Sequence, residues 1–148
     1  MRAIVLGAGP AGCAAATALH RAGFDVAVYE RDAVSSRRSG GGLYVCPNGF
    51  AALDALGLPR SVVAAAGGFP LEAMTARCGG TVGGMLDLTG HAAAGYPFAT
   101  VLRVEFAAAI RAALPAGVPV VCGAPATAVR EVDGGRRAAV SFGGGVPE

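Results

Sequence analysis

The chain has 148 residues, room for one domain with a sizeable core. Only 15% of them are charged, against about 25% in an average soluble domain, and the formal net charge is +2. The arginines carry no interleaved aromatics, which argues against a nucleic-acid surface. No apolar run nears the roughly 20 residues of a membrane span, and the start lacks a signal-peptide pattern, so a cytoplasmic protein is expected.

In chain order, Ala3 to Leu6 is a short apolar run that predicts a strand buried on both faces. Gly7, Gly9 and Gly12 follow at the spacing G-x-G-x-x-G. Gly7 permits a tight turn, Gly9 lets a phosphate approach the backbone, and Gly12 lets the next helix pack closely on the sheet. Pro10 suits a first helical turn, where its missing N–H costs nothing. The helix predicted over Ala11 to Ala22 aims its free N–H groups and its positive dipole end at whatever lies above the glycines, which favours a pyrophosphate. Gly23 closes it, and Asp25 to Glu30 reads as the second strand of a βαβ unit. Glu30 stands 18 residues after Gly12, near the roughly 20 expected of an acid that holds a ribose hydroxyl.

Arg31 and Asp32 lead into a polar segment from Ser35 to Gly42 that carries Arg37 and Arg38. Gly40, Gly41 and Gly42 leave two readings open, a backbone that approaches a ligand closely or only a glycine loop. Leu43 to Val45 predicts a short strand, and Pro47-Asn48-Gly49 a turn. Phe50, Leu53 and Leu56 mark an amphipathic helix ending at Gly57, and a second short helix is expected between Pro59 and Gly67. Roughly residues 69–98 form a strand-rich insertion, with antiparallel candidates at Ala73 to Cys78 and Met85 to Leu88. Arg103 introduces a helix over Val104 to Leu114, and Val118 to Cys122 predicts the next parallel strand. Ala126 to Val132 and Arg136 to Phe142 flank Asp133-Gly134-Gly135, a hairpin signal, before a glycine tail. The fold class is therefore α/β: a Rossmann-like βαβ unit with a parallel sheet, plus an antiparallel insertion and a hairpin.

The four cysteines are isolated, and neither His20 nor His91 lies at ligand spacing to them, so no metal is expected. Tyr44, His91 and Tyr96 have polar tips but read first as packing residues.

This order of motifs resembles the FAD-dependent aromatic hydroxylases, the para-hydroxybenzoate hydroxylase-like flavoprotein monooxygenases. The resemblance rests on Gly7-Ala8-Gly9-Pro10-Ala11-Gly12, on Tyr29-Glu30-Arg31, and on Gly40-Gly41-Gly42-Leu43 with Pro47-Asn48-Gly49. Leu53-Asp54-Ala55-Leu56-Gly57-Leu58 and Arg103 at the head of its helix complete it, so it covers nearly all of the chain. It implies FAD as cofactor, NAD(P)H as reductant and a small aromatic substrate. It places Gly7, Gly9, Pro10, Ala11 and Gly12 around the pyrophosphate, Glu30 on the adenosine ribose and Arg31 beside the adenine. Gly42 joins the cofactor site, and Arg103 faces the ribityl–pyrophosphate region.

Members of that family run to about twice this length or more and carry later Asp-Gly and Gly-Asp motifs that this chain lacks. The resemblance therefore implies an incomplete FAD-binding domain over residues 1–148, completed by a homodimer or by a second chain. The alternatives are a module that keeps an adenine-nucleotide or partner site without oxygenation, and a flavin-free enzyme on the half-fold.

Overall fold

The computed structural model of the chain describes residues 1–33 and 41–143. Arg37, Arg38 and Gly40, and the tail after Gly143, lie outside the described residues. The elements run β1 (Arg2–Leu6), α1 (Pro10–Arg21), β2 (Asp25–Glu30), β3 (Gly42–Val45), α2 (Pro47–Ala55), α3 (Ser61–Ala65) and β4 (Phe69–Leu71). They continue as β5 (Ala73–Cys78), β6 (Thr81–Asp87), α4 (Thr89–Ala93), β7 (Phe98–Leu102) and α5 (Arg103–Ala112). The last are β8 (Val120–Cys122), β9 (Ala126–Val132) and β10 (Arg137–Phe142). Two compact units result, Met1–Arg38 with Leu114–Glu148, and Ser39–Ala113.

The first unit is a parallel sheet of order β1-β2-β8 with an antiparallel β9–β10 hairpin. The central strand β2 buries Val26, Ala27 and Val28, while α1 buries Cys13, Ala16 and Thr17. A Cβ on Gly12 would lie 3.5 Å from Val5 Cγ1, so α1 covers the face that Val5 shares with its register partner Val28. Period-2 alternation puts Ile4, Leu6 and Tyr29 on the other face. The expectation that the first strand is buried on both faces is corrected here: β1 is an edge strand, and Ile4 and Leu6 are 38% and 45% exposed. The reason is position in the sheet, which an apolar run does not specify. The parallel strand expected from Val118 begins at Val120 instead, because Pro119 has no N–H to donate and joins the sheet only by accepting from Val28 at 2.9 Å.

The second unit holds an antiparallel sheet of order β3-β7-β4, in which β7 is central, and a separate β5–β6 hairpin. Pro47-Asn48-Gly49, expected as a turn, is instead the first turn of α2. Proline at N1 starts the helix from the extended Cys46. β6 begins at Thr81 rather than Met85, since pairing with β5 overrides the weak strand preference of Gly83 and Gly84. The helix α4 has too few residues for a periodic signal. The Asp87 carboxylate holds its start, accepting from the Thr89 N–H at 2.9 Å and the Thr89 hydroxyl at 2.7 Å. Leu88, expected as strand, is the fully buried residue just before it.

Candidate functional site: the glycine loop and the end of β2

The glycine loop is held from below by the end of β2. Gly7 takes φ +102°, a conformation that side chains rarely adopt, and its N–H donates to the Tyr29 carbonyl at 2.7 Å. The next N–H, of Ala8, donates to Glu30 Oε2 at 2.8 Å. Glu30 Oε1 accepts from the Asp32 N–H at 3.0 Å, so one carboxylate ties the loop to the backbone just after β2. A Cβ on Gly12 would stand 1.9 Å from the Gly7 carbonyl oxygen, and only glycine lets α1 start this close to β1.

Above the loop the geometry is open. A Cβ on Gly9 would meet nothing within 4 Å, and the same holds for Gly7. Gly9 is the N-cap of α1, with no side-chain cap, and its carbonyl accepts from the Cys13 N–H at 2.9 Å. Among the described residues the N–H groups of Gly9, Ala11 and Gly12 have no acceptor, as the first turn of a helix dictates. Pro10 at N1 leaves no further donor there. Unpaired N–H groups, the positive end of a 12-residue helix and empty space over a glycine form a cradle for an anion. The residues present thus fit a dinucleotide pyrophosphate. Arg31 is largely exposed beside the site, its Nε 3.9 Å from Asp32 Oδ1.

Gly42 and Arg103 lie in the second unit, where β3 and β7 bring them together across 61 positions (103 − 42). Gly42 pairs with Leu102, and the Arg103 N–H donates to the Gly41 carbonyl at 3.2 Å. Arg103 is exposed and opens α5, a poor place for a cation unless an anion comes near. Tyr44 is 58% exposed on β3. His91 packs edge-on against Phe98 with centroids 5.1 Å apart.

Two clusters join residues that the sequence does not link. Phe142, at the end of β10, stacks on Tyr29 with centroids 4.4 Å apart and planes at 27°. Phe142 belongs to no recognisable motif, and 113 positions separate it from Tyr29 (142 − 29). In the second unit Arg60 grips the Asp54 carboxylate with two nitrogens, Nε at 2.8 Å and Nη2. It also donates to the Gly95 carbonyl at 2.6 Å and lies over the Tyr96 ring, 4.7 Å from its centroid. Hydrogen bonding from Arg60 holds the Asp54 carboxyl below the usual carboxylate range, and the same bond raises the guanidinium.

Comparison with known proteins accords with this geometry. A model of the NAD(P)-binding Rossmann-like domain matches residues 5–57. No curated protein matches the chain by sequence. Among solved structures, Klebsiella pneumoniae HpxO, complexed with FAD and uric acid, is 27% identical with a TM-score of 0.73. That match covers 97% of this chain and 35% of HpxO. The 2-methyl-3-hydroxypyridine-5-carboxylic acid oxygenase is 26% identical, TM-score 0.69, over 94% of this chain and 35% of its own. A probable FAD-dependent monooxygenase of Pseudomonas aeruginosa, pqsL, shares the fold at 20% identity, TM-score 0.72, over 95% of this chain and 37% of its own. The chain thus spans little more than a third of the structures it matches. In fold, it matches the N-terminal portion of the FAD-dependent monooxygenases.

Proposed function

We propose that this chain binds FAD and forms the N-terminal, cofactor-holding portion of a monooxygenase that uses NAD(P)H and O₂ to hydroxylate a small aromatic molecule. The observation that carries the reading is the cradle at Gly9, open above and ringed by unpaired N–H groups, with the Glu30 carboxylate at its edge. Gly7, Gly9, Pro10, Ala11 and Gly12 surround the pyrophosphate. Glu30 serves the ribose hydroxyls from the end of β2, where its carboxylate also accepts from the Ala8 and Asp32 N–H groups. Arg31 lies beside the adenine, where a planar guanidinium stacks well. Gly42 and Arg103 serve the ribityl–pyrophosphate region, Arg103 as a bidentate phosphate partner.

When bound, FAD supplies the redox chemistry, and the protein supplies binding, orientation and exclusion of water. A neighbour named for a hydroxypyridine carboxylic acid and one complexed with uric acid support a planar, ring-bearing substrate. A homodimer, or a complex with a second chain, accompanies this reading. It draws support from exposed Ile4, Leu6, Val82, Met85 and Leu86, and from the tetrameric form of the pyridine oxygenase. Among the described residues, no helix is long and apolar enough to cross a membrane.

The test is titration of the purified chain with FAD and with ADP, followed by flavin fluorescence and calorimetry. Saturable binding is expected, weakened in Glu30→Ala by about 1.5–3 kcal/mol, or roughly 10- to 150-fold, as for a lost hydrogen bond to a charged group. Absence of binding by the unmodified chain, or an unchanged affinity in Glu30→Ala, overturns the assignment.

A further inference from the structure

The glycine loop does not hold its own shape; β2 holds it. Its first two N–H groups end on the Tyr29 carbonyl and the Glu30 carboxylate, at 2.7 and 2.8 Å. What fixes the end of β2 therefore fixes the loop. Part of that support comes from the segment after β8, where the Ala124 N–H donates to the Glu30 carbonyl at 2.9 Å and the Gly123 N–H to the Asp32 carbonyl at 3.2 Å. Pairing with β1 and β8 adds to it, and so does the hairpin. Tyr29 points away from α1, and its ring is covered by Phe142 in a near-parallel stack.

The β10 strand is irregular at that point. Its register with β9 shifts between Ser141 and Phe142, so that Phe142 pairs with Ala126 while Ser141 pairs with Ala128. A bulge of this kind re-aims a side chain. Immediately afterwards the Gly143 N–H donates to the Pro125 carbonyl at 2.9 Å and pins the strand end. The stack and the two loop bonds meet at Tyr29 and Glu30, consecutive positions of β2, and the irregularity of β10 lies at the other ring of the stack.

We infer that Phe142 is a positioning residue for the nucleotide site, acting through Tyr29 on the Gly7–Ala8 backbone. This rests on the reading of the glycine loop as the nucleotide cradle. Removing the ring lets the end of β2 sample orientations in which Gly7 and Ala8 are not aligned. ADP affinity then falls with the fraction of loop that stays competent.

The experiment uses the full chain and two separate readouts. Amide hydrogen exchange, measured without nucleotide, follows Gly7, Ala8 and Asp32 against Val5 and Val28 in the sheet. ADP titration measures binding. Phe142→Ala is expected to speed exchange at Gly7, Ala8 and Asp32 and to weaken ADP binding, each by about 2- to 10-fold, the span an aromatic pair supports. Phe142→Leu, which keeps apolar packing without the stack, shows the same signature should the alanine variant fold poorly. Phe142→Tyr restores both readouts, and Val129→Ala, on the exposed part of the same hairpin, changes neither.

Unchanged exchange at Gly7 and Ala8, or an equal rise at Val5 and Val28, overturns the inference, because either means Phe142 acts only on general stability. A chain that binds no ADP refutes the nucleotide reading instead, while the exchange pattern still decides whether Phe142 governs the loop.

Discussion

Gly9 and Gly12 stand three positions apart and do different work, so substituting each should break a different property. A Cβ at Gly12 would sit 1.9 Å from the Gly7 carbonyl oxygen and 3.0 Å from its carbon. Ordinary contact begins at 3.4 Å, so the helix start or the loop must move by about 1.5 Å (3.4 − 1.9). Overpacking of this severity costs about 1–3 kcal/mol or more. Gly12→Ala also gains about 1 kcal/mol of helix preference, which offsets part of the cost. The net expectation is a loss of about 1–2 kcal/mol, a drop of about 3–8 °C in the unfolding midpoint. Nucleotide binding is lost with it, because the displaced atoms belong to the loop. Gly9→Val meets open space, so its unfolding midpoint by far-UV circular dichroism stays within a degree or two of the parent while FAD and ADP binding disappear. The reasoning is refuted by a Gly12→Ala variant as stable as the parent, or by a Gly9→Val variant that binds nucleotide normally.

Three further outcomes are expected. Asp54 is held below its usual range by hydrogen bonding from Arg60, so its contribution is present above the ordinary carboxylate pKa and is lost as pH falls through the depressed value. A thermal scan from pH 7 to 2 should therefore find the parent losing its advantage over Asp54→Asn only at the acid end; a constant gap at every pH refutes the pairing. Leu88 is fully buried between β6 and α4, and Leu88→Ala should lower stability by about 2–5 kcal/mol in urea unfolding, with a loss under 1 kcal/mol refuting its place in the core. Light scattering at micromolar concentration should find the chain associated, with an interface of at least about 1,000 Å² in total, and a stable monomer removes the claim.

The sequence alone determined most of the elements of the first unit and the identity of the loop residues. Both follow from short-range physics. Glycine spacing, a proline at N1 and a β-branched run each act within a few residues, so β2, β5, β9 and the bounds of α1 were legible almost to the residue. The acid at the end of β2 was legible for the same reason, since strand, helix and strand have nearly fixed lengths.

Tertiary structure decided what depends on neighbours distant in the chain. Whether β1 lies inside the sheet or at its edge depends on which strands flank it, and Ile4 and Leu6 have the same composition in either case. Glu30 was legible as the acid that ends β2, but its bond to the Ala8 N–H exists only because β1 and β2 are in register at Leu6 and Tyr29. The meeting of Gly42 with Arg103 follows from β3 pairing with β7. The Tyr29–Phe142 stack needs both the parallel sheet and a register shift late in β10, and no local preference encodes either. Local preferences thus placed the donors and acceptors, and long-range pairing decided which of them face each other.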